Sequence, residues 1–337
     1  MTSNPNVTLS GPNVTLSSSK GGASRPVAIA VLIAVLALLP AFVHSDYLLS
    51  LVDTAGIYAI VVMGLGILLG FAGQLSLAQA AFLGIGAYTS GWLTTNLGWP
   101  AWPSMGAAMM MSALVGLAVG YPCLRLSGHY LALATIGFGI ITQLVLINWK
   151  SVTNGSDGMG NIPPPQIGSF VFDSYGRYYY IVLVAVLACA YVAWRIKTTR
   201  VGRALEAIRE NEIAARATGI DATRYKIIAF VLAGAYAGLA GSLLAHLTKF
   251  ISPDSYSFDQ SVVFLVMLIV GGSASISGAI LGAVLLWFLP EVLRPLKTSY
   301  IMVYGAAVVA MVVFMPRGLV GLLDTLRTRF TRRPDAA

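Results

Sequence analysis

The stretch WRIKTTRVGRALEAIRENEIAARATGIDATRYK, residues 194–226, is the longest charged run between apolar segments and decides how the rest of the chain is arranged. Its eight cations are Arg195, Lys197, Arg200, Arg203, Arg209, Arg216, Arg224 and Lys226, and its four acids are Glu206, Glu210, Glu212 and Asp221. Because the flanking segments are apolar, this run must lie in water. Its positive excess predicts a cytoplasmic loop.

The same loop carries signals for a short helix. Asn211 is a favourable N-cap, Glu212 would lie in the first turn, and Gly219 is a favourable residue just after a helix C-terminus. These signals predict a helix over residues 212–218. A capped helix in a cytoplasmic loop is typical of a surface that a soluble partner grips.

Composition predicts an all-α, polytopic helical membrane protein. The chain has 337 residues, of which 57% are hydrophobic and 10% are charged, whereas soluble domains carry about 25% charged residues. The mean hydropathy is +0.79. The apolar runs are long and continuous, which argues against a transmembrane β-barrel, and 35 glycines favour closely packed helices.

The net charge of +8 collects in tails and loops, where it orients the chain and contacts anionic membrane lipid, so no nucleic-acid partner is predicted. Cys123 and Cys189 fall in or beside apolar segments, and two such separated residues predict packing rather than a metal site.

Ten apolar segments are predicted to form the membrane domain, residues 26–316. They cover approximately 26–43, 48–72, 75–93, 101–122, 128–149, 178–195, 225–247, 261–272, 274–290 and 300–316. The first is read as a retained helix rather than a cleaved signal peptide. The stretch 261–290 exceeds one crossing at about 1.5 Å per residue, so Gly271–Ser273 is expected to divide it into a short descending half and a returning helix.

This count places both termini and the 195–226 loop in the cytoplasm, with tails at residues 1–25 and 317–337. The first tail repeats PNVTLS at residues 5–10 and 12–17, to which we assign no role.

Few polar residues lie inside the predicted spans, and these are the candidate substrate pathway. Gln74, Ser76 and Gln79 occur together, and Gln143 lies in a later span. Buried polar groups face the bundle or a wet cavity, so Gln79 lines a pathway or makes an interhelical hydrogen bond, and both readings stay open. His246, near an interface, is expected to be solvated.

The sequence contains no catalytic or metal-binding cluster, so the chain is not expected to be an enzyme. It also lacks the G-x-x-x-x-G-K-[ST] pattern that binds ATP phosphates. Any use of ATP therefore requires another chain. Acids are almost absent from the predicted spans, and Asp53 lies near the outer end of its span. This scarcity argues against a proton-driven carrier. Sodium coupling through carbonyls and hydroxyls remains open.

Several motifs in order resemble the permeases of bacterial branched-chain amino-acid ABC importers. They are GLGILLGFAGQLSLAQAAFLGIGAYTSGWL (64–93), GHYLALATIGFGIITQLVLINWKSVTNGSDGMGNIPPP (128–165), VGRALEAIRENEIAARATGIDATRYKIIAFVLAGAYAGLAGSLLAH (201–246) and VGGSASISGAILGA (270–283). The resemblance runs from about residue 27 to 325. It is closer to the LivM-type subunit than to its LivH-type partner.

The resemblance implies a type II ABC importer-like bundle in the bacterial inner membrane. Its implied partners are a second, homologous permease, two cytoplasmic ATPase subunits that bind ATP and Mg²⁺, and a periplasmic binding protein. It also implies docking on the ATPase through a Glu-Ala-Ala pattern followed by glycine. Here the pattern is one residue looser, as Glu212, Ala214, Ala215 and Gly219.

Alternatives to branched-chain amino-acid import keep the chain in the membrane. Related permeases carry urea, short amides or aromatic acids, and the sequence does not distinguish these cargoes. A secondary transporter driven by an ion gradient explains the broken helix but not the capped cytoplasmic helix. A membrane scaffold or enzyme has no supporting motif.

Overall fold

The computed structural model describes residues 34–40, 42–43, 45–123, 129–295, 300–314 and 318–321. Helix α1, residues 34–40, is the described part of the first predicted segment and forms a unit of its own. The predicted tails 1–25 and 317–337 lie outside the described residues, apart from 318–321.

The second unit contains helices joined by short turns. In chain order its elements are α2 (Asp46–Leu65), a π-helix (Gly66–Phe71), α3 (Gln79–Asn96), α4 (Ala101–Cys123), α5 (His129–Asn148), α6 (Lys150–Thr153), a 3₁₀ turn (Gly155–Asp157), β1 (Gln166–Ile167), β2 (Phe170–Val171), α7 (Tyr175–Thr198), α8 (Arg200–Glu210), α9 (Glu212–Ala217), α10 (Ala222–Thr248), a 3₁₀ turn (Pro253–Tyr256), α11 (Phe258–Gly271), α12 (Ile276–Leu293) and α13 (Tyr300–Phe314).

The predicted all-α polytopic fold is confirmed. Six helices in the described ranges are long and apolar enough to cross a membrane: α2 with its π-helical end, α4, α5, α7, α10 and α12. Shorter apolar helices lie at Phe258–Gly271 and within α13. The only sheet in the described part is the antiparallel pair β1–β2 in the 150–177 loop.

Helices α2 and α10 form the centre of the bundle. In the most apolar 18 residues of α2 and α10, 78% and 67% of the residues are buried. The corresponding share in the other four long helices is between 22% and 33%. The outer faces of those four helices are apolar, as a lipid-facing surface requires. Helix α3 packs against α10 and α4, so its polar residues are kept away from lipid.

Small residues set the spacing between these helices, as the sequence predicted. A Cβ atom at Gly86 of α3 would overlap the backbone of Gly238 in α10, and one at Gly238 would lie 2.5 Å from Ser112 Cβ in α4. Without side chains at these points, the helices approach almost backbone to backbone.

The break predicted inside residues 261–290 is confirmed. Helix α11 ends at Gly271, Gly272 turns the chain with φ of 114°, and α12 begins after its N-cap Ser275, whose Oγ accepts from Gly278 N. Helix α11 has 14 residues and is therefore only about 21 Å long, too short for a full crossing. We name the turn 272–275 the second inner break.

A first inner break lies between α2 and α3. Helix α2 ends in the π-helix Gly66–Phe71, and Gly73 then adopts φ of +68° before α3 starts at Gln79. We define residues 66–78 as the first inner break. It contains Gln74 and Ser76, and Gln79 follows it directly.

Candidate functional site

The charged segment 195–226, which we call the coupling segment after the role predicted for it, contains two short helices. Helix α8 was not predicted from the sequence. It buries Gly202, Ala204, Leu205 and Ile208 and turns its charged residues outward. Helix α9 follows after a single residue, Asn211, so the two helices form a compact hairpin.

Both ends of α9 are capped as the sequence predicted. The Asn211 Oδ1 accepts from Ala214 N at 3.0 Å. At the other end Gly219 has φ of +86°, its N–H donates to Arg216 O at 3.0 Å, and Ile220 N donates to Ala215 O at 3.1 Å. This pair of bonds is a Schellman motif, which needs the left-handed conformation that glycine adopts without steric cost. The predicted helix 212–218 is confirmed, with its last helical residue at Ala217.

The four predicted coupling residues do not share one face. Ala215 is buried against Ile208 and Ala222, which fixes α9 to α8 and to the start of α10. Ala214 and Gly219 are exposed. The most exposed apolar side chain of α9 is Ile213, at 82%, which the looser Glu-Ala-Ala pattern did not single out.

Glu212 holds α9 to the first turns of α10. Its two carboxylate oxygens each lie 2.7 Å from a cation, one on Arg216 and one on Lys226. Partial burial alone would raise the pKa of the Glu212 carboxyl, but the hydrogen bond and charge of Lys226, aided by Arg216, hold the pKa below its ordinary value. Glu212 therefore stays ionised at neutral pH and orients α9.

Three of the four predicted pathway residues lie in the first inner break or directly after it. Gln74, Ser76 and Gln79 are 5%, 0% and 0% exposed. Neighbouring helices supply acceptors for the backbone here: Leu77 N donates to Thr135 Oγ1 at 3.1 Å, and Ala80 N donates to Ser261 Oγ at 3.0 Å. The Ser261 hydroxyl thus satisfies one of the N–H groups that the start of α3 leaves without an intrahelical partner, and the Thr135 hydroxyl satisfies a backbone N–H just before the helix.

The side-chain amides at this break are not satisfied in the same way. Gln79 Oε1 and Nε2, and Gln74 Oε1, are buried with no hydrogen-bond partner among the described residues. Buried amide groups normally find partners, so these unpaired atoms make Gln74 and Gln79 the candidates for contact with a polar group. Gln143 is half-buried and lies eight residues beyond Thr135 on α5, about 12 Å along the helix.

Comparison with known proteins shows the family. The profile described as "Branched-chain amino acid transport system / permease component" matches residues 47–316, which include both inner breaks and the coupling segment. The chain belongs to this permease family. It is 32% identical to the high-affinity branched-chain amino acid permease LivM of Escherichia coli K12, over 92% of this chain and 79% of that protein.

More distant relatives are permeases as well. The chain is 28% identical to LivH of Escherichia coli K12, over 78% of this chain and 91% of that protein. It is 24% identical to the ribose import permease RbsC of Haemophilus influenzae, over 88% of this chain and 92% of that protein. No solved structure matches the chain.

The permease also contains a buried polar network at the end of α10 that lies away from the coupling segment. His246 is 1% exposed, which corrects the expectation that it is solvated. Its Nε2 lies 2.9 Å from Ser90 Oγ and its Nδ1 lies 2.7 Å from Pro163 O. Ser90 Oγ also lies 2.9 Å from Ser104 Oγ and 3.0 Å from Ser242 Oγ. The network thus joins α3, α4, α10 and the 150–177 loop.

Asp53 in α2 is a second polar group whose burial the sequence did not predict. Its side chain is fully buried, and neither carboxylate oxygen has a hydrogen-bond partner in the described part of the chain. The sequence put this residue near the outer end of its span but carried no sign of its burial.

Proposed function

We propose that this permease forms the path by which branched-chain amino acids cross the bacterial inner membrane, driven by ATP hydrolysed on separate subunits. The observation that carries the proposal is the family match over residues 47–316, reinforced by 32% identity to LivM. Both LivM and LivH resemble the chain, which supports pairing with a second, homologous permease.

The coupling segment supports docking of two cytoplasmic ATPase subunits on the assembled permease pair. Helix α9 exposes the side chain of Ile213. The helix is capped at both ends, and Ala215 packs its opposite face against Ile208 and Ala222. A rigid, exposed apolar side chain is the kind of anchor that a groove on a partner binds. ATP and Mg²⁺ are bound by those subunits, and a periplasmic binding protein delivers the substrate.

The first inner break is proposed as part of the substrate path, through Gln74, Ser76 and Gln79. The unpaired amide atoms of Gln74 and Gln79 offer both donors and acceptors to a passing polar group. Gln143, further along α5, is proposed as a separate contact on the same path. In the cycle, ATP binding closes the ATPase pair, and the coupling segments carry that movement to the bundle.

The test uses the full complex of both permeases, ATPase subunits and binding protein in proteoliposomes. We expect leucine, isoleucine and valine, delivered by the binding protein, to stimulate ATP hydrolysis at least several-fold. Urea, short amides and aromatic acids are the cargo alternatives. Stimulation by one of these, with no response to the three branched amino acids, would change the substrate while keeping the transporter class.

Asp53 gives one reason to test an ion-coupled carrier as a second candidate. Buried carboxylates within membrane segments are typical of proton or cation pathways. If the transport is ATP-driven, Asp53→Asn leaves ATP-dependent uptake within a few-fold of the unmodified permease. Uptake that persists without ATP, follows an imposed ion gradient and disappears in Asp53→Asn would support the carrier instead.

A further inference from the structure

Two cations of the coupling segment reach onto the two inner breaks. Arg209 Nη1 donates a hydrogen bond to Gly70 O, near the end of the π-helix. Lys197 Nζ donates to Ala274 O at 2.9 Å and lies 5.4 Å from the centre of the Phe71 ring. Gly70 O lies near the end of a helix, where carbonyls lack intrahelical partners and carry partial negative charge, so it is a natural acceptor for a cation. Ala274 O lies in the turn before α12.

The two breaks are also in direct contact with each other. A Cβ atom at Gly70 would overlap the Ser273 carbonyl, which shows that the two backbones touch there. At Gly73, whose φ is +68°, a Cβ atom would lie 3.0 Å from Arg209 Cγ. The first inner break therefore fits closely against the second on one side and against Arg209 on the other.

The position of Arg209 ties this contact to α9. Arg209 lies in the last turn of α8, two residues before Asn211, whose side chain caps α9. Ile208 beside it packs against Ala215 of α9. A displacement of α9 is therefore carried to Arg209 through the α8–α9 hairpin.

We propose that Arg209 and Lys197 transmit movement of the coupling segment to the inner breaks, and so switch the inner end of the substrate path. This inference rests on the proposed function, in which ATPase subunits dock on the coupling segment. Both residues act by positioning: neither is assigned a contact with substrate. Their hydrogen bonds are charge-assisted and directional. When either cation moves, we expect the backbone of the break that accepts its hydrogen bond to move with it.

Movement transmitted through Arg209 would reach the Gln74 and Gln79 amides, which are proposed to lie on the substrate path. Gln74 lies four residues after Gly70, whose carbonyl accepts the hydrogen bond from Arg209, and Gln79 lies five residues further along the chain. When Arg209 moves with α9, the backbone from Gly70 to Gln79 must follow or lose the bond. The geometry links the ATPase-facing surface to the buried polar atoms within one short length of chain.

The test compares Arg209→Gln, Arg209→Lys and Lys197→Met with the matched control Arg203→Gln. Arg203 is exposed on the same helix, and its side chain makes no hydrogen bond or ion pair within the described residues. In the full complex we expect Arg209→Gln to retain the ATPase subunits and ATP hydrolysis but to reduce leucine uptake at least tenfold. Lys197→Met reduces uptake in the same direction, and Arg203→Gln changes it less than twofold.

Arg209→Lys separates transmission from a merely structural role. Lysine keeps one charged donor for Gly70 O but loses the planar fork, so uptake recovers to within about threefold of the unmodified complex. Loss of uptake with Arg209→Lys equal to that with Arg209→Gln, in assembled complex, would contradict the inference.

A labelling experiment reads the inner break directly. A cysteine is placed at Gln74 in a permease with Cys123→Ser and Cys189→Ala, and its reaction with a membrane-impermeant thiol reagent is followed from the cytoplasmic side with and without ATP. We expect a nucleotide-dependent labelling rate that Arg209→Gln abolishes and Arg203→Gln preserves. An unchanged response in Arg209→Gln overturns the inference, whereas failure of the unmodified permease to bind ATPase subunits overturns the proposed function instead.

Discussion

At the scale of single residues, His246 illustrates how a buried polar side chain ties a loop to the membrane bundle. Its Nδ1 faces the carbonyl of Pro163, which only accepts, so Nδ1 must carry a proton. In the neutral ring Nε2 then accepts from Ser90 Oγ, and Ser242 Oγ donates to Ser90 Oγ. A single ring tautomer therefore gives both ring nitrogens of His246 a partner.

Replacing His246 with alanine is predicted to destabilise the permease by about 2–4 kcal/mol, because the Ser90 hydroxyl and Pro163 carbonyl lose buried partners. The measurement is the thermal midpoint of the purified permease in detergent. His246→Gln keeps one donor and one acceptor and should cost less. Thr248→Val is the control, because Thr248 is exposed and bonds only nearby backbone carbonyls; an equal loss in this control would contradict the network's role.

The residue scale also shows what the sequence could not predict. The Asn211 cap and the Gly219 turn involve neighbours within a few positions, so local residue types predict them. The bonds from Arg209 to Gly70 and from His246 to Ser90 join residues 139 and 156 positions apart. Such pairs depend on which helix faces meet, and one sequence without its fold carries no signal for them.

At the scale of elements, α9 depends on the conformation of Gly219. Proline holds φ near −65° and removes the N–H that donates to Arg216, so Gly219→Pro should unravel the end of α9. We predict that it abolishes ATP-dependent uptake while the permease still inserts and pairs with its partner permease.

Ala215→Asp is predicted to have the same outcome by a different route, because it places a carboxylate between Ile208 and Ala222. Both variants are measured by uptake and by recovery of the permease pair. Gly98→Ala is the matched control: Gly98 also has positive φ and has open space around its Cβ, but it lies outside the coupling segment. Normal uptake in both test variants would remove the assignment of α9 as the docking helix.

The crossing of α3 and α10 is fixed at Gly86. Its missing Cβ is what lets the backbone of Gly238 approach, so Gly86→Ala must push the helices apart. We predict a loss of about 1–3 kcal/mol or more in stability, as overpacked cores show, measured as a lower thermal midpoint. Gly106→Ala in α4 is the control, since a Cβ there meets nothing within 4 Å, and an equal effect of the two changes would contradict the packing account.

At the scale of the whole molecule, composition and periodicity predicted the fold class because the bilayer imposes long apolar helices on any such chain. The Gly271–Ser273 break was predicted from the length of 261–290, which exceeds one crossing, and from the Gly-Gly-Ser sequence within it. The contact of α11 with α3 was not predicted, because the bond from Ala80 N to Ser261 Oγ joins two separate segments. The sequence also could not show where Gln143 lies: it is half-buried on α5, about 12 Å along the helix from Thr135.

In the proposed mechanism, the two central helices and the coupling segment explain how a chain without an ATP-binding motif uses ATP. Helix α2 leads into the first inner break, α10 begins at Ala222 within the coupling segment, and both are the most buried long helices described. We therefore expect a movement applied at α9 to enter the centre of the bundle rather than its outer face.

The most direct test of this account is uptake of radiolabelled leucine by proteoliposomes containing the complete complex, with ATP present or absent on the ATPase side and ion gradients dissipated by ionophores. We predict uptake that requires ATP and the binding protein, survives the ionophores and is lost in Gly219→Pro. Leucine uptake that proceeds without ATP and collapses with the ionophores would contradict it.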